Sequence, residues 1–93
     1  MAVKVREEKV ERELVRRVTQ LGGMCLKVTV IGRRGFADRL VILPGGRMHL
    51  VEVKRPKGGV LSPHQHLWRR EMMALSVAVA LVKDSADIDQ LLT

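Results

Sequence analysis

Residues 38–54 read DRLVILPGGRMHLVEVK, and the fold turns on how this stretch pairs with itself. Two aliphatic, β-branched runs, 38–43 and 47–54, flank Pro44-Gly45-Gly46. Proline presets φ for a turn and glycine supplies positive φ, so the three residues predict a β-hairpin. A three-residue loop places Leu43 opposite Arg47, and the numbers of facing residues then sum to 90. Asp38 accordingly falls opposite Glu52. Strand side chains alternate with period two, so Asp38, Leu40 and Ile42 share a face with Leu50, Glu52 and Lys54. A two-residue loop would shift the sum to 91 and send Asp38 and Glu52 to opposite faces.

Working outward, residues 24–31 (MCLKVTVI) predict a strand before the hairpin, joined to it by the basic turn GRRG at 32–35. Residues 4–21 predict a helix, because Val10, Leu14, Val18 and Leu21 recur on one face. Gly22-Gly23 stops it. On the other side, Ser62 as N-cap, Pro63 at the first helical position and Gln65 at the third predict a capped helix running to about Leu75. The apolar run 77–83 (VAVALVK) predicts a strand buried on both faces. Ser85 is expected to cap a last short helix carrying Ile88, Leu91 and Leu92. The order helix, three strands, helix, strand, helix implies an α/β (α+β type) fold. Three strands form an antiparallel meander, and a crossover adds a parallel fourth. No repeat or linker divides residues 1–93, so one domain is expected.

Composition narrows the function. The 93 residues are 46% hydrophobic, too many for a disordered chain. A single cysteine excludes a disulfide scaffold and suits a reducing cytosol. The longest apolar run, Met72 to Val82, is well short of the ~20 residues that a spanning helix needs, so no membrane is expected. The net charge of +7 points to a polyanionic partner, most commonly nucleic acid. Aromatics are only 2%, which argues against single-strand binding by stacking and favours duplex DNA read by its backbone.

Two carboxylates facing each other across strands repel, and a hard divalent cation with oxygen ligands offsets the repulsion. Magnesium takes one or two carboxylates and leaves positions for a phosphate substrate. Lys54, on the same face, could orient or deprotonate a water. The alternative is a solvated strand face with a weak ion pair, and the acid-x-lysine tripeptide also occurs at Glu7-Glu8-Lys9. Gln65 either completes the helix cap through the Ser62 N–H or serves the site. His64 and His66 are two apart and share no helix face, and His49 alternates away from Glu52, so no histidine metal set forms. Cys25 reads as a packing residue. Arg33, Arg34, Arg39, Lys54, Arg55 and Lys57 all lie in or beside turns around Asp38 and Glu52, as a basic rim for phosphates or as ordinary surface charge.

The segments Gly35-Phe36-Ala37-Asp38-Arg39, Pro44-Gly45-Gly46, Val51-Glu52-Val53-Lys54 and Leu61-Ser62-Pro63-His64-Gln65, with the first helix ending at Gly22-Gly23, resemble the VRR-NUC domain of the PD-(D/E)XK nuclease superfamily. The resemblance covers nearly the whole chain and is nearest to the short stand-alone members from phages and prophages. It implies a restriction-endonuclease-like core. It implies that Asp38, Glu52 and the Val53 carbonyl bind Mg²⁺ or Mn²⁺, that Lys54 is the motif's catalytic lysine, and that Gln65 acts beside it. A first-helix glutamate also approaches the metal in this family. Glu11 matches best, with Glu7 one turn earlier as runner-up. Two positions depart from the pattern: Ala37 stands where proline is usual, and Leu75-Ser76 stands where Leu-Gly is usual.

The expectation is therefore a metal-dependent DNA endonuclease of the bacterial cytosol, selective for four-way junctions or other branched DNA in repair or recombination. Catalysis falls to Asp38, Glu52, Lys54 and Gln65, metal binding to Asp38, Glu52, Val53 and Glu11, and DNA contact to Arg33, Arg34, Arg39, Arg55 and Lys57. By analogy with the family's small members, a homodimer is expected. A nuclease for nicked, flapped or plain duplex, a non-catalytic DNA-binding module and a small RNA-binding protein are the alternatives.

Overall fold

The computed structural model describes residues 2–32, 37–55 and 58–93, with side chains from Glu7 onward. Its elements are α1 (Ala2–Gln20), β1 (Met24–Lys27), β2 (Arg39–Leu43), β3 (Arg47–Val53), α2 (Pro63–Ala74), β4 (Val79–Val82) and α3 (Ser85–Leu92). The sheet order is β1-β2-β3-β4. β1, β2 and β3 form the antiparallel meander, and β4 lies parallel to β3 across the α2 crossover.

The hairpin closes as the turn residues dictate. Gly45 and Gly46 have φ of 89° and 83°, and the Gly46 N–H donates to the Leu43 carbonyl at 3.1 Å. Leu43 pairs with Arg47 and Arg39 with Val51, the register expected from a three-residue loop.

One face of the sheet carries the core. Val41, Leu43, Val51, Val53 and Val82 pack against Val10, Leu14 and Val18 of α1 and Ile88 of α3. The four-residue spacing on α1 keeps one stripe on the sheet. Full burial of each such side chain stabilises by roughly 1.5–3 kcal/mol. Leu21 does not join the stripe; it lies past the helix end and is exposed. There the Gly23 N–H donates to the Val18 carbonyl and the Gly22 N–H to the Thr19 carbonyl, both at 3.0 Å, with Gly22 at φ 83°. That is a Schellman motif. Gly23 is also required by space, because a Cβ there would come within 2.5 Å of the Ile42 carbonyl oxygen.

The expected elements differ from the observed ones at three places. The first strand ends at Lys27 rather than at residue 31, because its partner β2 begins only at Arg39. It is also an exposed edge strand, although Cys25 does pack against the core. Burial holds the Cys25 thiol pKa up against the nearby Arg39 charge, and Glu11 adds to the rise. β4 covers only Val79–Val82, and only Val82 is buried. It is not buried on both faces because α2 contributes no buried residue; one tie is Arg69 Nη1, which donates to the Val79 carbonyl at 2.6 Å. Asp84, not Ser85, caps α3 by accepting the Asp87 N–H at 2.9 Å; the Ser85 hydroxyl bonds Glu13 instead.

α2 ends in the same Schellman geometry as α1, but with Ser76 in the left-handed position at φ 63°. The Val77 N–H reaches the Met72 carbonyl and the Ser76 N–H the Met73 carbonyl. A Cβ in that conformation costs about 1 kcal/mol. Ser76→Gly is therefore expected to stabilise the chain by about 1 kcal/mol, measured by urea denaturation. No helix of the described residues is long and apolar enough to cross a membrane.

Candidate functional site

The open end of the hairpin gathers the acids. Glu52 is the one buried charged residue among the described residues, at 2% exposure. A carboxylate removed from water to that degree needs partners. The α2 cap supplies one. Ser62 Oγ accepts the Gln65 N–H and Gln65 Oε1 accepts the Ser62 N–H, which completes the capping box. The amide nitrogen of Gln65 remains available and donates to Glu52 Oε2. The two alternatives for Gln65 are therefore not exclusive, since its two amide atoms do different work. Lys54 Nζ stands 3.8 Å from the same Glu52 oxygen and is itself mostly buried.

Asp38 arrives by a route that the regular register does not predict. Its N–H donates to the Val51 carbonyl at 3.0 Å, although Val51 is the ladder partner of Arg39. Two residues, Asp38 and Arg39, thus face one, which is a β-bulge. Asp38 is not simply opposite Glu52. The bulge re-aims its carboxylate, and Oδ2 accepts the Val53 N–H at 2.9 Å. The carboxyl groups still lie close enough for Asp38 to raise the Glu52 pKa. The Glu52 pKa is pushed up to about 8 from its ordinary 4.5. Burial is the main cause, followed by the charge and hydrogen bond of Asp38; Lys54 opposes the shift and Glu7 adds to it.

The first helix brings glutamates to this end of the sheet. Glu11 Oε2 accepts from Arg39 Nε at 2.8 Å, and Arg39 Nη1 also donates to the Cys25 carbonyl at 3.2 Å. Arg39, expected in the basic rim, thus ties α1 to β1. Glu11, expected at the metal, is neutralised by this pair. Glu7, one turn earlier, is near enough to raise the Glu52 pKa. A shallow pocket of about 320 Å³ is lined by Glu7, Glu8, Glu11, Lys27, Asp38 and Val53. The motif spacing favours Glu11 over Glu7, and both side chains line this pocket, with Glu11 also paired to Arg39. Lys27, at the end of β1, had no signal at all.

Arg55 lies beside this end, with Nη2 donating to the Gly58 carbonyl at 2.9 Å. Arg33, Arg34 and Lys57, also expected to contact DNA, lie outside the described residues. His49 is on the core face, away from Glu52, as alternation requires. Among the described residues no three His, Cys, Asp or Glu side chains form a cluster that could hold a metal. The donors available are the carboxyl groups of Asp38 and Glu52 and the carbonyl of Val53, which directly follows Glu52 in the chain. All are oxygens, which suits a hard divalent cation rather than zinc.

No family model matches the chain. It is 40% identical over 88 residues, 95% of its length, to "Putative nuclease p44" of Acyrthosiphon pisum secondary endosymbiont phage 1, and the match spans 92% of that protein. Its structure is similar to a solved VRR_NUC domain, with a TM-score of 0.85 and 32% identity over 94% of each chain.

Proposed function

The chain belongs to the VRR-NUC family, and on that premise we propose that it is a divalent-metal-dependent DNA endonuclease selective for branched duplexes such as four-way junctions. The observation that carries the reading is the buried Glu52 carboxyl held against Asp38 by Gln65 and Lys54. A binding module has no use for paired acids, which repel phosphate. A metal site does, because a cation offsets the repulsion between the two acids.

Asp38, Glu52 and the Val53 carbonyl would hold Mg²⁺ or Mn²⁺, with Glu7 in the role that the motif spacing gives to Glu11. A cation held there supplies Lewis acidity toward a phosphodiester oxygen and offsets the charge of the acids. The Val53 N–H and the Gln65 amide fix the carboxylate orientations beforehand, so no reorganisation accompanies the reaction. Lys54 orients the attacking water and stabilises charge developing on the phosphate. Arg33, Arg34, Arg55 and Lys57 bind the DNA backbone; Arg39 acts from behind, holding α1 over the site. One domain of 93 residues covers little DNA, so a homodimer with two sites would cut two strands of a junction symmetrically. The 40% identity to a phage protein supports a phage or prophage gene whose product acts in the bacterial cytosol.

The test is cleavage of an end-labelled four-way junction and its linear duplex, each with Mg²⁺, with Mn²⁺ and with chelator. Metal-dependent nicks confined to the junction are expected. Equal cutting of both substrates would leave a nuclease without selectivity. Binding without cutting in either metal would reduce the chain to a DNA-binding module.

A further inference from the structure

Three basic residues stand apart from the turns that were expected to carry the basic rim. Arg12 and Arg16 lie one turn apart on α1, and Lys27 ends β1. All three are exposed, and all three line one groove of about 630 Å³ between α1 and the adjoining ends of β1 and β2. Basic side chains on a helix commonly pair with a carboxylate one turn away. Arg17 does so with Glu13 and also takes Asp89, and Arg39 takes Glu11. Among the described residues no carboxylate comes within ion-pair distance of Arg12, Arg16 or Lys27. The Glu11–Arg39 pair lines the same groove and cancels its own charge there. Glu8 is the other carboxylate lining it, so three cations face one anion.

The groove leads somewhere. Glu8, Glu11 and Lys27 also line the pocket that holds Asp38 and Val53, so groove and pocket are continuous. A basic channel that opens onto paired acids suits a chain of phosphodiesters, with one phosphate at the acids and its neighbours on the cations. An acidic peptide would gain from the cations but brings no phosphate to the pocket. We propose that Arg12, Arg16 and Lys27 seat the sugar–phosphate backbone of the strand that is cut, on the α1 side of the scissile phosphate. Arg12 and Arg16 stand about 6 Å apart along the helix axis, far enough to take separate phosphates. Lys27, common to groove and pocket, takes the phosphate nearest the acids. The Glu11–Arg39 pair keeps a bare carboxylate out of the strand's path.

The identity of the seated strand rests on the nuclease reading, but the grip itself needs no metal and no chemistry. Binding of a short fluorescent duplex in chelator, titrated across ~50–200 mM salt, isolates it. Arg12→Ala, Arg16→Ala and Lys27→Ala are each expected to make the slope of log K against log salt shallower by about 0.9, and to weaken binding roughly 5–10-fold at ~0.1 M salt. Arg12→Lys keeps the charge and should keep the slope. Alanine favours a helix and the arginines are exposed, so the far-ultraviolet circular dichroism of the two α1 variants should not change. Arg47→Ala removes an equal charge at the far end of the hairpin, where Arg47 donates to the Thr93 carbonyl, and should leave the slope as it is. In cleavage, the groove variants should raise KM more than they lower kcat. Slopes unchanged in all three would overturn the groove and leave the nuclease reading standing. An equal loss in Arg47→Ala would reduce the effect to net charge and overturn the groove too. Shallower slopes in the groove variants alone, with no cleavage by the wild type in Mg²⁺ or Mn²⁺, would keep the groove as a DNA seat and overturn the nuclease reading.

Discussion

Asp38→Asn is expected to slow DNA cleavage by at least about 10³-fold while leaving the fold intact. The substitution keeps the shape of the side chain and an oxygen that can accept the Val53 N–H, so the bulge retains its hydrogen bond. What it removes is the negative charge, which is the property a divalent cation needs. It also removes a repulsion. Asp38 is, after burial, the largest cause of the raised Glu52 pKa, so a neutral neighbour lets Glu52 ionise more easily. The variant should therefore be inactive yet no less stable than the wild type in chelator. Single-turnover cleavage and urea denaturation of the same preparation check both halves. Cutting at the wild-type rate would remove Asp38 from the site.

The second large effect is a fall in metal-free stability as pH rises. Glu52 titrates at about 8 in the folded chain and at its ordinary 4.5 when unfolded. Between those values the folded state binds the extra proton, so deprotonation favours unfolding and stability declines with increasing pH. The slope approaches 1.4 kcal/mol per pH unit, with an upper bound near 5 kcal/mol across the window. Below pH 4.5 both states are protonated and the effect is absent; above 8 the loss is complete. That sum rivals the whole stability of a small domain. Denaturation midpoints in chelator at pH 5, 6, 7 and 8 should fall accordingly, and Glu52→Gln, which cannot ionise, should flatten the trend. Adding Mg²⁺ should restore stability most at the high-pH end, where a cation no longer competes with the proton. A wild type as stable in chelator at pH 8 as at pH 5 would contradict the raised pKa of the buried Glu52 carboxyl.

Much of the fold is legible because it depends on local rules. Pro44-Gly45-Gly46 selects a three-residue loop, and the loop sets the register of every pair from Leu43–Arg47 to Arg39–Val51. Ser62 and Gln65 specify a helix start by spacing alone, and the capping box forms as read. The first strand stops at Lys27 although the apolar and β-branched run continues to 31, because its partner strand begins only at Arg39. The run 77–83 predicts a doubly buried strand but is covered on one side only, because apolar composition does not say whether anything packs over it.

At the site, residue types and order could be read from the chain. The side-chain partners could not. A bulge at Asp38–Arg39 leaves no mark in the hydrophobic alternation, yet it turns the carboxylate toward Val53. Glu7 and Glu11 lie one turn apart on the same helix, and periodicity treats them alike. The hairpin, its register from Leu43 to Arg39, the stops of α1 and α2 and the Val10–Leu14–Val18 stripe follow from local sequence, because each is set by neighbours a few residues apart. The folded chain alone brings Arg39 to Glu11, lets Gln65 cap a helix and hold Glu52 at once, and raises the Glu52 pKa through burial and Asp38. Those outcomes depend on desolvation and on charges brought together from elements 13 to 28 residues apart, and such distances exist only once the chain has folded.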